Sequence, residues 1–590
     1  GNLSVYYENA TVTSSTGNAV ANGSSANNIQ ALFWNFGSPN SIVSSFDTGS
    51  GIVLTATGSG LVSVSTHDID QTYIPGSGPF IYNEITSTIT GNLSGIVTSA
   101  AAGATTIDIG ASDTITGNKS HAISASSTSG SISLTTAAGS LVRGSVVSGT
   151  GAGIFAASSA SGNISGNIAG NVTGDWAVNL GTSGTGTINM VYSGNVTGTD
   201  GAIKQATDQG NNTLSVTAGT VTTTGTVGGN ASILLSVGTG TGNITTAAGT
   251  LVRATGGSTA VGISAISATS GALNLTLNGN VSGTGDAVLA QSGSGTITIL
   301  GNGTITGDSD DGGSGNGISA TTSTGQVNIT TGAGGFISGF AENGIDAQKT
   351  GGGSAGITIV TAAGIGNVSN QVDQVGINAN MSGGGSGTIS MSVGGTIYSF
   401  STDILAQNNG TGDISIITQP NMDIFTATGD GIDAFATGGG NVLVHLLDGA
   451  INSNTTGSGA CPSSVALCLD PYGIHATAVG SGNVTNGTIL LQDDYRDVIG
   501  TKVQSGSGTA INCNIVPQRF YGAVSPTVPG APAPPRVAMA GPTIRAEVGD
   551  VVELVLGNAI NPLHFNATWD TGKCDTSTAG DRKSTRLNSS

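Results

Sequence analysis

Apolar and polar residues alternate in short runs along most of this chain, and the runs recur. The stretch "GNGISATTSTGQVNITTGAGGFISGF" shows the unit. A motif G/A-[IV]-x-A opens it, Gly/Ser turns follow, then x-[IV]-x-[ILM], more turns, and a third short aliphatic run. The motif places its aliphatic residue at Ile123, Ile154, Val178, Ile203, Ile263, Val288, Ile318, Ile345, Ile377, Ile404, Ile432 and Ile474. Most steps are 24–32 residues. The 60-residue step after Ile203 holds a degenerate unit around Ile233, and the final 42-residue step holds an insertion with Cys461 and Cys468. In ten of the twelve units the residue two positions on is Ala. The second run includes Ile132/Leu134, Ile297/Ile299 and Val442/Val444, and the third centres on Leu141, Val172, Val196, Val281, Ile305, Ile337 and Ile397.

Each run has period two, so it predicts a strand with aliphatic residues on one side and Ser, Thr or Asn on the other. Gly and Ser interrupt too often for helices. Strands this short are not stable alone, and stacking the units solves the problem. Each three-strand unit becomes one coil of a parallel β-helix, and its inward Ile, Val and Ala stack on those of the next coil. The predicted class is all-β, a right-handed parallel β-helix. Counting a coil at Ile96 there are about 14 coils, spaced ~4.8 Å apart. Residues 1–95 are less regular, with Phe33, Trp34 and Phe36 concentrated in "ALFWNF" (31–36), and read as a cap or irregular first coils that hide an open edge, an aromatic ligand platform being the alternative.

Composition follows from this geometry. Gly numbers 99 with no G-X-Y period, which excludes collagen, while 37% hydrophobic residues give the chain a core to bury. Gly serves the turns, and Asn in "GNVTG" or "GNVSG" is expected in left-handed conformations or stacked ladders. The N-x-S/T triplets at Asn171, Asn195 and Asn280 have the form of glycosylation acceptors, and turn, strand and outward hydroxyl positions also create them by default. The net charge of −19 argues against nucleic-acid partners, which need a basic face, and against anionic lipid. No run of 18 apolar residues suggests a membrane helix. The chain begins with Gly1 and shows no signal peptide, so its start reads as processed or truncated.

The units "GNVSGTGDAV", "GNGISATTSTGQVNI" and "ENGIDAQ" resemble the β-strand-repeat passenger regions of bacterial autotransporters and large secreted adhesins, over about residues 96–500. The resemblance implies a secreted or cell-surface location, with a host surface, glycan or matrix component as partner. It implies no membrane insertion in this part of the chain, and a monomeric rod. Such rods host adhesins, enzymes and inert stalks alike.

Candidate chemistry is sparse. The densest acidic stretch, "GDSDDGG", offers Asp308, Asp310 and Asp311 as calcium ligands or as a solvated turn, without an EF-hand pattern. "HDID" holds metal-compatible His67, Asp68 and Asp70. In "GIHA" His475 takes the outward position that Asp433 takes in "GIDA" one coil earlier, so the two are expected to pair across one strand spacing. A surface pair is the expectation over half of a catalytic site, since no nucleophile stands beside them. Cys461 and Cys468 are close enough for a local disulfide in a secreted protein; two free thiols are the alternative. No G-x-S-x-G, P-loop or dinucleotide fingerprint stands out.

Near residue 500 the texture changes. Residues 501–540 form a Pro-rich linker with "VPGAPAPP". Then "GPTIRAEVGDVVELVLGNAINPLHFN" (541–566) resembles the opening strands of a cupredoxin domain of the multicopper oxidase or ceruloplasmin-like kind. Gly541, Pro542, Ile544, Ala546, Gly549, Asp550 and Asn558 fit that pattern. Copper-binding members follow with H-x-H, but here His564 is followed by Asn566, so copper is implied only for a longer parent chain. The last ten residues, "DRKSTRLNSS", are encoded by one frame of a common short-read sequencing adapter (gat cgg aag agc aca cgt ctg aac tcc agt) and are expected to be an artefactual tail. Residues 541–580 then read as an incomplete cupredoxin-like segment. The expected function is a β-helical adhesin or stalk without catalysis or cofactor in this chain. The alternatives are a fragment of a secreted multicopper oxidase with a β-helical extension, or a carbohydrate-active β-helix enzyme.

Overall fold

The computed structural model describes residues 3–520, apart from 9, 25–27, 35–40, 45–47, 67–85, 148, 150, 226–230, 311–314, 339–341, 421, 448–450, 454–473, 480–483, 487–493, 497–498, 503–510 and 515–517. Among the described residues every regular element is a strand. The strands form an all-β parallel solenoid, with about 13 turns between Ile96 and His445.

The second run of each unit builds one ladder of 17 parallel strands, from Leu3–Glu8 to Val484–Asn486. Fourteen of them follow Ile96, as the sequence repeat predicts. The other three are Leu3–Glu8, Ile29–Trp34 and Val62–Ser65, and they stack in register in the stretch read as a cap or irregular first coils. The first and third runs form a 30-stranded sheet. They merge where Asn171–Thr182 and Val196–Thr207 pass unbroken from one face to the next, with a register shift between Gly174 and Trp176.

Register follows the repeat. Ile123 pairs with Ile154 and Ala125 with Ala156; Ile345 pairs with Ile377 and Ala347 with Ala379. The degenerate unit behaves as a full coil, with Ile233 between Ile203 and Ile263. The motif aliphatics from Ile123 to Ile432 are buried, each contributing about 1.5–3 kcal/mol by leaving water. One inward assignment shifts by a residue. The repeat places Leu141 at the centre of its third strand, but Leu141 is half-buried and Val142 points inward, stacked on Ile115 and Val172. Adjacent aliphatics leave a two-residue period ambiguous, and the neighbouring coils decide it.

Glycine has a specific packing role before the second strand. At Gly103, Gly130, Gly210, Gly240, Gly271, Gly295 and Gly325 an added Cβ would lie 1.9–2.2 Å from the carbonyl oxygen of the residue one coil earlier, itself Gly in every case. Only a residue without a side chain lets consecutive turns stack at strand spacing there.

Of the two parts expected of Asn, the stacked ladder forms and the left-handed turn does not: the Asn195 N–H donates to Asn171 Oδ1 at 3.3 Å and Asn302 Nδ2 donates to Asn278 Oδ1 at 2.7 Å. Among the described residues the only non-glycine positive φ values are at Ser112 and Asp308, so the turn Asn residues are not left-handed. They cap the next coil instead. Asn163 Oδ1 accepts from the Thr187 N–H at 2.9 Å, Asn211 from Thr241 at 3.0 Å and Asn280 from Thr304 at 3.1 Å. Asn195 accepts from both the N–H and the hydroxyl of Thr220, each at 3.0 Å.

Gln205, one of the two departures from Ala in the motif, is fully buried, as is Tyr192. Its Nε2 donates to the Tyr192 Oη at 2.8 Å. The flanking coils carry Leu180 and Leu235 at the same position. Beyond the ladders the pairing becomes antiparallel, Asp494–Arg496 with Gln518–Phe520 and Ile499–Lys502 with Ile511–Asn514.

Candidate functional site

Outward positions of the first strand stack into columns along the rod. In one column Leu405, Asp433 and His475 follow one another in direct register, and beside it run Gln407, Phe435 and Thr477. The expected Asp433–His475 pair therefore forms, with His475 Nδ1 3.1 Å from Asp433 Oδ1. A third group joins it that sequence spacing did not reveal. Asp430 lies in the turn before the Ile432 strand, and its Oδ2 is 4.0 Å from His475 Nδ1. The three donor atoms lie within 4.8 Å of one another, a separation that one metal ion could span, in the only group of three or more His, Cys, Asp or Glu side chains found so placed among the described residues.

The imidazole is held from two other sides. Phe435 meets it edge-on, ring centroids 4.9 Å apart at 89°, and Thr477 Oγ1 lies 3.4 Å from Nε2. Burial pushes the Asp433 carboxyl up to about 6; His475 opposes that shift and Asp430 adds to it. Asp433 Oδ1 is buried and, apart from its approach to His475, makes no hydrogen bond.

A second acidic pair lies at the bulge. Asp175 is buried, accepts from the Gly149 N–H and the Thr199 hydroxyl, and meets Asp200 one coil on. Burial and the hydrogen bond with Asp200 raise its carboxyl to about 6. Next to it Lys204 Nζ lies 5.7 Å from the centre of the Trp176 ring. Asp403 is a third perturbed carboxyl. It is fully buried in the corner before Ile404, and burial pushes it up to about 8. Ser399 lies alongside, yet neither Asp403 oxygen makes a hydrogen bond of normal geometry.

On the first face an open groove of about 490 Å³ crosses several coils, lined by Ser126, Phe155, Ala157, Asn179, Gly181 and Thr182 among others. The Phe155 ring is stacked on His121 at 4.8 Å. The groove holds hydroxyls and one aromatic but no titratable side chain.

Of the calcium candidates, Asp308 is buried in a left-handed turn with its N–H donating to the Gly285 carbonyl at 3.0 Å, and Asp310 is exposed. Asp311 lies outside the described residues, as do His67, Asp68, Asp70, Cys461, Cys468, His564 and the 581–590 tail. No family model matches the chain, and no curated protein and no solved structure shows significant similarity to it.

Proposed function

We propose that this chain is the rod of a secreted or cell-surface protein, acting as a stalk or adhesin. The observation that carries the reading is the uninterrupted stack of 17 parallel strands, in which aliphatic residues fill the interior and small polar residues line much of the outside. Such a stack sets two ends at a fixed separation and offers a long repetitive face. A host surface, glycan or matrix component is the proposed partner, and the hydroxyl-lined groove with Phe155 suits the polar and apolar faces of a sugar. The resemblance of residues 96–500 to autotransporter passenger repeats supports the same reading. Copper chemistry in a longer parent chain rests on the 541–570 resemblance alone.

Binding of the purified chain to glycan arrays, matrix proteins and cultured cells tests the proposal, with small-angle scattering reporting a monomeric rod. Saturable binding that is lost on filling the groove with Gly181→Trp supports an adhesin. Cleavage of a glycan by the chain would overturn the non-enzymatic reading.

A further inference from the structure

We propose that Asp430, Asp433 and His475 bind a divalent transition-metal ion of the zinc class, which fastens the coil opened by Ile474 to the coil opened by Ile432. The donor set and its placement carry the inference. Two carboxylate oxygens and one imidazole nitrogen suit zinc and its neighbours, whereas calcium and magnesium select oxygen donors throughout.

The separations fit. Ligands bonded at about 2.1 Å stand about 3.0 Å apart at a right angle and about 3.4 Å apart at a tetrahedral angle. His475 Nδ1 and Asp433 Oδ1 are already 3.1 Å apart. Asp430 Oδ2, at 4.0 Å, belongs to a turn residue whose side chain is 20% exposed, so a small rotation brings it into range. Water completes the coordination, because the His475 side chain is 39% exposed and the site opens to solvent.

The surroundings of the imidazole point the same way. Ligating histidines characteristically engage the second ring nitrogen in a hydrogen bond that sets the tautomer. Thr477 Oγ1 lies beside Nε2, which leaves Nδ1 facing the carboxylates, and Phe435 fixes the ring plane.

The placement gives the ion a structural task. The two coils are joined by the 42-residue step that contains Cys461 and Cys468, the longest between consecutive coils of the repeat. The Ile474–Ala478 strand is also only half-buried, where the preceding Ile432–Ala436 strand alternates fully buried positions. A metal bridge across this junction replaces packing that the strand lacks. Affinity gained by the folded junction is stabilisation of that junction.

The test uses the full chain, freed of metal by chelation and titrated with Zn²⁺ by calorimetry and with Co²⁺ by visible absorption. The expected result is one saturable site that disappears in both His475→Gln and Asp433→Asn. With it, amide exchange of Ile474–Ala478 slows at least about tenfold on metal addition in the native chain and is unchanged in the variants. Exchange of the Ile414–Thr418 strand checks that the variants keep the neighbouring coils folded. Zinc binding of equal stoichiometry and affinity in the native chain and both variants would overturn the proposal. So would a native chain without saturable binding, or one whose Ile474–Ala478 exchange ignores the metal.

Discussion

The Tyr192–Gln205 pair invites a double-mutant cycle, because each partner is fully buried and each answers the other. Tyr192→Phe removes the hydroxyl and leaves the Gln205 amide unmatched in the core, where its Oε1 already lacks a partner. Gln205→Leu leaves the Tyr192 hydroxyl unmatched instead. An unsatisfied buried polar group costs about 1–3 kcal/mol, so each single change is expected to destabilise by that amount. Leu180 and Leu235 show that Leu fits this position in the coils on either side, so the new side chain brings little strain. With both changes made, no polar group is stranded. The double variant should then be less damaged than the sum of the singles by at least about 1 kcal/mol, roughly fivefold in an opening equilibrium. Repeat proteins open locally, so the assay is native-state hydrogen exchange of Ile188–Tyr192 and Val196–Thr207, with Leu273–Leu277 as an unaffected reference. Strict additivity of the two changes would refute the reasoning, because the hydrogen bond would then carry no coupling.

Three further outcomes follow from features elsewhere in the rod. Gly240→Ala drives a methyl to 2.0 Å from the Gly210 carbonyl oxygen, so amides of the Gly242–Thr246 strand should exchange faster by a factor matching about 2 kcal/mol or more, and an unchanged rate would remove the close-approach argument. Asp403 has a folded-state pKa raised by burial to about 8, above its ordinary 3.8, so its contribution to stability is complete below pH 4 and is lost as pH rises from about 4 to about 8. Relative to Asp403→Asn, the native chain should lose up to about 1.4 kcal/mol per pH unit in that window and level off above it, as read by urea denaturation at pH 5 and pH 8. Parallel curves for the two proteins would contradict it. Asn195→Ala removes the cap on Thr220 and should cost about 1 kcal/mol in exchange protection of Thr220–Thr223, while Asn195→Asp, which keeps the accepting oxygen, should largely retain it.

Much of the fold was legible because a parallel solenoid writes its coil length directly into the chain. Spacing from Ile123 to Ile474 located the first-face strands, and Ile233 was found despite its degenerate surroundings. The coils at Val20 and Ile52 were harder to read because Asn22 and Leu54 replace the motif Ala. The inward choice between Leu141 and Val142 depended on contacts with Ile115 and Val172, which no local pattern encodes. The same distinction governs the site. Asp433 and His475 occupy identical motif positions one coil apart, so register alone paired them. Asp430 sits in a turn, and its approach depends on the path of the corner before Ile432. Gln205 was visible as a departure from Ala, but its partner in the second strand of the preceding coil was not.

The parallel ladders also determine how the rod responds to tension. Their hydrogen bonds link one coil to the next, so a pull on the two ends loads the coil junctions in series, and the weakest yields first. The coil from Ile263 to Val288 comprises 25 residues, which extend to about 85 Å once released, against the ~4.8 Å it contributes while stacked. Each coil that peels away lengthens the tether by more than tenfold its folded rise and dissipates work, while the remaining coils keep their shape. A solenoid built this way behaves as a chain of small mechanical fuses.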